Sequence, residues 1–431
     1  MPAMDVAEDP VPPPRHGLRY SLRALRHRNF AIFFAGALAS NSGSWVQNAT
    51  VPYVLFQMTR SATWVGLATF AQFLPSVLFG PLGGSLADRF DRRRVVVVTQ
   101  VLLAGAAVAM WASWVAGIRS PVLLLVLVAT SGMLGGLNIP SWQAFVPRLV
   151  PREDLLSAIT LNSLQFNAAR ALGSAVAGLV LTAFGVAAAF AANAASFAFV
   201  IGALALVRLA PEAPAGAPER GVARQFAAAI RYVRTQPGIV AGMVTAVLVA
   251  ALGNPIVQFA AVFADDVFGV GTLAYGLLAA SLGVGALVAA PLVSGWDATV
   301  PRSRVVLVGL PFYGVACVAF GLAPSFPLAV VAMACAGGGF LAVISATNTA
   351  VQVIVADHMR GRVMAARVMS FTVSYAFGGL LQGAIAQRVG PRPTVAVAGA
   401  LLVVGALVLR ARSDLLLRLD DPPDTAPPQV V

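Results

Sequence analysis

Long apolar runs alternate with short polar breaks along the chain, and the runs set its plan. Each run is long enough for the roughly 20 residues that a helix needs to cross a bilayer. The runs fall at 30–56, 62–87, 95–116, 121–141, 154–183 and 186–207, then at 238–263, 271–295, 304–322, 326–348, 360–386 and 393–410. The longest break is "RLAPEAPAGAPERGVARQFAAAIRYVRTQPG". Its first half is Pro/Ala/Gly linker. Its second half puts Phe226, Ile230 and Val233 on one helical face and Arg224, Arg231 and Arg234 largely off it, as in a helix lying on a membrane surface. The pattern predicts an all-α polytopic membrane protein of about twelve transmembrane helices in two pseudo-symmetric six-helix bundles. The expected segments are a tail at 1–29, a bundle at 30–207, a linker with an amphipathic helix at 208–237, a second bundle at 238–410 and a tail at 411–431.

Composition agrees. The chain is 58% hydrophobic and only 11% charged, too apolar for a soluble domain. A net charge of +12 would point to nucleic acid in a soluble protein, but here the basic residues, all arginine, sit in the short breaks. One set of breaks holds Arg15 to Arg28, Arg89 to Arg94, Arg148 and Arg152, Arg208 to Arg234, Arg302 and Arg304, Arg360 and Arg362, and Arg410 to Arg418. The alternate set holds only Arg60, Arg119, Arg388 and Arg392. The bias predicts cytoplasmic N- and C-termini and no nucleic-acid partner. The proline-rich N-terminus has no apolar segment with a small-residue cleavage site, so no cleaved signal peptide is expected. Cys317 and Cys335 lie inside apolar runs and offer neither a disulfide framework nor metal-ligand spacing; no cofactor or metal is expected.

The halves echo one another. "PLGGSLADRFDRRRVV" (81–96) aligns without gaps on "PLVSGWDATVPRSRVV" (291–306), sharing Pro-Leu, two arginines and Val-Val. "VPREDLLSAI" from Val150 loosely matches "VADHMRGRVM" from Val355. Weak internal repeats of this kind mark several transporter folds. Within the first echo, Gly84, Asp88, Arg89, Arg92 and Arg93 concentrate charge in one tight cytoplasmic turn.

That turn resembles the signature loop of the major facilitator superfamily, G-x-L-a-D-R-x-G-R-R/K, with Asp91 where the second glycine usually stands. "ADRFDRRR" is similar to the drug–proton antiporter branch that contains enterobactin exporters and macrolide efflux pumps. The likeness covers essentially the whole chain, including "VPREDLLSAITLNSLQFNAARALG" and "RGRVM". It implies a latch. Gly84 lets a neighbouring helix approach, and Asp88 sits against the positive end of span eleven. Arg89, Arg92 and Arg93 form breakable ion pairs, with Asp357 as one partner and Arg360 and Arg362 nearby. "RALGSAVAG" is similar to the antiporter motif G-P-x-x-G-G, keeping Gly173 and Gly178 but placing Ser174 where proline is usual and Ala177 where a glycine is usual.

Polar residues inside a membrane face the bundle interior or a wet cavity. Asn41, Trp45 and Asn48 share one face of span one, beside Gln47. With Asn162, Gln165, Asn167 and Arg170 of span five they are candidates for a substrate cavity, interhelical hydrogen bonding being the other reading. Arg170 is the single charge the pattern places near mid-depth, where arginine costs about 2.5–3.5 kcal/mol on insertion scales. No carboxylate or histidine falls at mid-depth. Asp265 and Asp266, near the outer end of span seven, are the proton-coupling candidates. Other routes for the proton, or a charge carried by the substrate, stay open.

The resemblance implies a monomeric secondary transporter in a bacterial cytoplasmic (inner) membrane. It would export a small amphipathic molecule (drug, macrolide or siderophore) against protons by alternating access. Translocation of a lysophospholipid or other lipid or metabolite is the alternative. An enzyme would need an embedded set of acids, bases or nucleophiles, and a lysine-free chain cannot carry a G-x-x-x-x-G-K-[ST] nucleotide loop. A sensor or scaffold would tolerate loss of the signature loop, which is intact.

Overall fold

A computed structural model describes residues 22–209, 222–296 and 300–423. The expected N-terminal tail up to Ser21, the Pro/Ala/Gly half of the linker and the tail beyond Pro423 lie outside the described residues. Among the described residues every regular element is a helix. The main ones are α1 (Arg28–Thr59), α2 (Ala62–Arg89), α3 (Arg92–Val115), α4 (Pro121–Phe145) and α5 (Leu155–Leu206), then α6 (Val222–Thr235), α7 (Pro237–Leu248) and α8 (Ile256–Val262), and finally α9 (Thr272–Trp296), α10 (Arg302–Leu322), α11 (Phe326–Ile354), α12 (Arg360–Val389) and α13 (Pro391–Ala411). Ten helical units are long and apolar enough to cross a membrane. One of them, running from Arg152 to Leu206, has 55 residues, well over twice the roughly 20 that one crossing needs. It contains a reversal: Gly185 has φ 76° and ψ −177°, a conformation that side-chain-bearing residues rarely adopt, and the helix breaks there. α1 is long enough to cross but is interrupted by Asn41, Ser42, Ser44, Gln47 and Asn48, and it falls outside the ten.

Successive helices run in opposite senses. One end of the structure therefore carries the turns near 90, 150 and 355 together with the start of α1 and the end of α13; because the chain runs from these toward its termini, we call it the termini end. The far end carries the turns near 60, 118, 185, 270 and 390.

At the termini end, Phe33 packs on Trp142 and Phe145 with ring centroids 4.7 and 5.4 Å apart. There Asp154, buried, takes Arg23 at 3.1 Å and His27 at 2.7 Å, and so ties the start of the chain to the start of α5. α6 departs from expectation. Its apolar face meets protein, not only membrane. Val233 is buried among Ile354, Val355 and Met359, and the Tyr232 hydroxyl accepts the Ala356 N–H at 3.0 Å; Phe226 alone of the three stays exposed. The two echoed segments share a local form: short 3₁₀ turns, Arg152–Asp154 and Asp357–Met359, open α5 and α12 respectively.

α7 and α8 form one discontinuous span. Pro255 has no N–H to give, so the helix widens before it into a π turn, Val249–Gly253, in which Asn254 N–H reaches back to Val249. The freed carbonyls of Ala251 and Leu252 are taken up by the Gln382 amide at 2.8 and 2.9 Å. A broken helix in an apolar setting needs such a substitute donor.

Candidate functional site

The segments before and after the linker meet at the far end. In α2, Gly66 lies against the backbone of Gly379 and Leu380 in α12, where a Cβ would not fit. Gly178 in α5 and Gly276 in α9 press backbone to backbone in the same way. Small residues let helices approach this closely. Polar contacts join the same end. The Thr182 and Thr272 hydroxyls are 2.7 Å apart, Gln387 Oε1 accepts the Ala62 N–H at 2.9 Å, and the Tyr275 hydroxyl donates to Ala49 O at 2.6 Å. Arg60 pairs with Asp265 and lies 3.8 Å from Asp266.

Followed toward the termini end, the same helix faces part. On α2, the face of Gly66, Thr69 and Phe73 continues to Gly80 and Gly84, where a Cβ would meet nothing within 4 Å. On α12 it continues to Val368, which is exposed, and to Gly361, equally empty. On α5 it continues from Gly178 through Ser174 and Arg170 to Asn167, which is exposed.

Between the closed far end and the parted helices lies a cavity of about 210 Å³. Its wall draws on both segments: Trp45 and Asn48 of α1, Gln72 and Phe73 of α2, Arg170 and Ser174 of α5, Asn254 and Gln258 at the α7–α8 break, Tyr275 of α9, and Phe371 and Tyr375 of α12. Arg170 is the one charged residue lining it among the described residues. Its guanidinium sits 6.0 Å from the Trp45 ring, and it makes no ion pair with any described residue. Gln258 donates to the Tyr375 hydroxyl at 2.9 Å, and Phe73 packs on Tyr375 at 4.9 Å. A second cavity between α9, α10 and α11 is apolar and shares no lining residue with the first.

Of the cavity candidates from sequence, Trp45, Gln47, Asn48 and Arg170 line this space. Gln47 is held from behind by the Asn193 amide at 2.6 Å. Asn41 is not on the wall, and its amide nitrogen is buried without a hydrogen-bond partner among the described residues. The expectation for span five needs correction. Asn162 accepts from the Trp142 indole at 3.3 Å, and Gln165 donates to Ala37 O at 3.1 Å, so both join helices. At 100° per residue Gln165 points about 140° away from Arg170, and Asn162 lies about 80° round the helix and two turns beyond it. Asn167 shares the Arg170 face but lies one turn beyond the wall, donating to Ser163 O at 2.9 Å. Gly173 gives α5 its close approach to Trp45 and Val46 of α1, and Gly178 its approach to α9.

Among the described residues Asp88, Arg89 and Arg93 make no hydrogen bond or ion pair with α12. Asp88 has no hydrogen bond or ion pair with any described residue, and Arg89 is exposed. Arg93 donates to Leu204 O at 2.6 Å, within its own segment. Asp91 caps α3 by accepting the Arg94 N–H at 2.9 Å, which accounts for an aspartate at the glycine position of the loop. In this conformation Asp357 pairs with Arg360 at 2.6 Å and not with the latch arginines, whose pairing is expected in the outward-facing state. Among the described residues Arg362 reaches only Met359 Sδ, at 3.7 Å.

Sequence reasoning missed two features. Asn254 and Gln258 are signalled by Pro255 in mid-run, the mark of a discontinuous span. Arg170 is not the one embedded arginine either. Arg367 lies two turns into α12, 7% exposed, bonded to Asn348 Oδ1 at 3.0 Å, Thr347 Oγ1 at 3.3 Å and Ile344 O at 3.4 Å.

Comparison with known proteins follows the same lines. A family model described as transmembrane secretion effector matches residues 20–421. The enterobactin exporter EntS of Citrobacter koseri is 26% identical over 408 residues, covering 92% of this chain and 94% of that one. The staphyloferrin A transporter of Staphylococcus aureus is 24% identical over 166 residues, 38% of this chain, and the match spans only 41% of that transporter. Among solved structures, a bacterial homologue of the human lysosomal transporter Spinster, inward-facing and unoccupied, aligns with a TM-score of 0.73 at 17% identity, covering 95% of this chain and 100% of that one. The inward-open xylose transporter XylE of E. coli aligns with a TM-score of 0.63 at 15% identity, covering 91% and 96%.

Proposed function

The chain belongs to the transmembrane secretion effector family of major facilitator transporters, and on that premise we propose that it exports a small amphipathic molecule from the bacterial cytoplasm by alternating access. The observation that carries this reading is the cavity itself. It draws its wall from both segments, is sealed at the far end by Gly66–Gly379 and Gly178–Gly276, and is unsealed toward the termini. The arginine bias supports placing the termini end in the cytoplasm, which makes this an inward-facing state. Counting α1 as a span and dividing α5 at Gly185 brings the ten apolar units to about twelve, in two bundles joined by the linker. A bacterial inner-membrane location and a single-chain transport unit follow from the same reading.

Proton coupling is assigned to Asp265 and Asp266. They face Arg60 across the far-end seam, with Tyr53 stacked on Tyr275 beside them at 5.1 Å. A proton arriving from outside would weaken the hold on Arg60 and let the seam open. The cargo is drawn from siderophores, macrolides and related drugs; the siderophore reading is supported by the named roles of the relatives.

The test is accumulation of a panel of macrolides, dyes and siderophores in an efflux-deficient host, with and without a protonophore. Lower accumulation on expression, lost with the protonophore, is the expected result. The Asp265→Asn/Asp266→Asn double variant should keep export down a cargo gradient but lose its response to a pH gradient. A double variant that still follows the pH gradient removes these two residues from the coupling.

A further inference from the structure

The cavity holds a cation that no carboxylate or hydrogen-bond acceptor among the described residues answers. We propose that Arg170 is an oxyanion-binding residue, and that the cargo is an organic anion whose carboxylate or equivalent oxyanion pairs with it while its apolar body lies against Trp45, Phe73, Phe371 and Tyr375. This rests on the export reading and names the chemistry of its cargo.

The two embedded arginines make the case by contrast. Arg367 has three neutral acceptors on α11 for its two terminal nitrogens and 7% exposure; only its Nε lacks a partner among the described residues. Arg170 has none of these. Its donors have no hydrogen-bond acceptor and no carboxylate among the described residues, and it faces the cavity beside Ser174. A guanidinium presents a planar fork of donors that fits a carboxylate in two-point contact. In a site of low dielectric an unanswered charge of this kind attracts its counter-ion strongly. The surroundings fit an anion with a ring or apolar body. Trp45 holds the guanidinium from one side at 6.0 Å. Gln72, Asn48, Asn254 and Gln258 offer amides to further polar groups. The described wall contains no Asp or Glu to attract a cation.

The cavity narrows the rest. Its closed floor is the far-end seam, so Arg170 lies on the path between the open end and the barrier. An anion bound there would neutralise the one charge on the described cavity wall.

The experiment is equilibrium binding to the purified full chain in lipid nanodiscs, with a series of aromatic and aliphatic carboxylates, each paired with its uncharged amide. 1-Naphthoate against 1-naphthamide is the lead pair. Wild type should bind carboxylates at least about tenfold more tightly than their amides, which corresponds to about 1.4 kcal/mol. Arg170→Gln should erase the difference. Arg170→Glu should turn the preference toward 1-naphthylmethylammonium, and Arg367→Gln should leave the anion preference in place. Binding needs no transport, so this result stands apart from the accumulation assay. If the Arg170 variants do not fold, the carboxylate-over-amide ratio of wild type and its fall with added salt still decide. Failure of every carboxylate to bind, a wild-type preference for amide or cation, or an anion preference surviving in Arg170→Gln overturns the proposal.

Discussion

Gly178→Leu is expected to stop transport and to drive the protein out of the conformation described here. Gly178 and Gly276 meet backbone to backbone at the far-end seam, and a side chain on either would overlap the other helix. Overpacking of this kind costs about 1–3 kcal/mol. Here the penalty falls only on the state in which the seam is closed. A bias of about 1–3 kcal/mol shifts a two-state equilibrium by about 5- to 150-fold. The cavity would then open at the far end and refill slowly from the termini end. A cysteine introduced at Thr182 should label faster from the far side in Gly178→Leu than in its parent, with transport falling at least about tenfold. A variant that transports normally would mean that the seam does not have to close.

Gly84→Leu should stop transport as well, by the opposite route. A Cβ at Gly84 meets nothing within 4 Å in this state, so leucine should leave its stability and its cargo binding from the termini end unchanged. Gly84 belongs to the α2 face that carries Gly66 against α12 at the other end. When the termini end closes, that face has to approach the start of α12 near Gly361, and leucine would hold the two apart. Turnover is expected to fall at least about tenfold while binding holds within a factor of about two. The two glycine variants therefore report opposite states of one cycle. Loss of binding in Gly84→Leu would show that the residue matters for this state and not for its alternative.

The helices were legible because apolar runs and their arginine-rich breaks are local signals. Gly185 closed one run and opened the next in sequence, and the backbone does reverse there. Gly66, Gly178 and Gly276 gave less away. A glycine in a span is common, and only the partner across the seam tells a contact from a gap. The cavity was half legible. Trp45, Asn48 and Arg170 stand out as polar or amphipathic residues in apolar runs. Tyr275, Tyr375 and Phe371 do not, since aromatic residues are ordinary in a span. They line the site because helices far apart in sequence converge, which no local pattern encodes. Asn162 and Gln165 misled for the same reason: polarity marks the bundle interior, and the interior includes helix–helix contacts such as the one to Ala37 O. Arg367 was overlooked because it follows Arg360 and Arg362 closely and reads as part of their loop. The helix carries it two turns deeper, against α11.

The measurement that tests the account most directly is a reversible lock across the far-end seam. Thr182 and Thr272 belong to different segments, and their hydroxyls are 2.7 Å apart. Cysteines at both positions should therefore come within disulfide reach. The background would carry Cys317→Ala and Cys335→Ser, since those two cysteines are free. Oxidation should stop transport in proportion to the cross-linked fraction, leave the cavity accessible from the termini end, and be reversed by reduction. Undiminished transport by fully cross-linked protein would contradict alternating access through this seam.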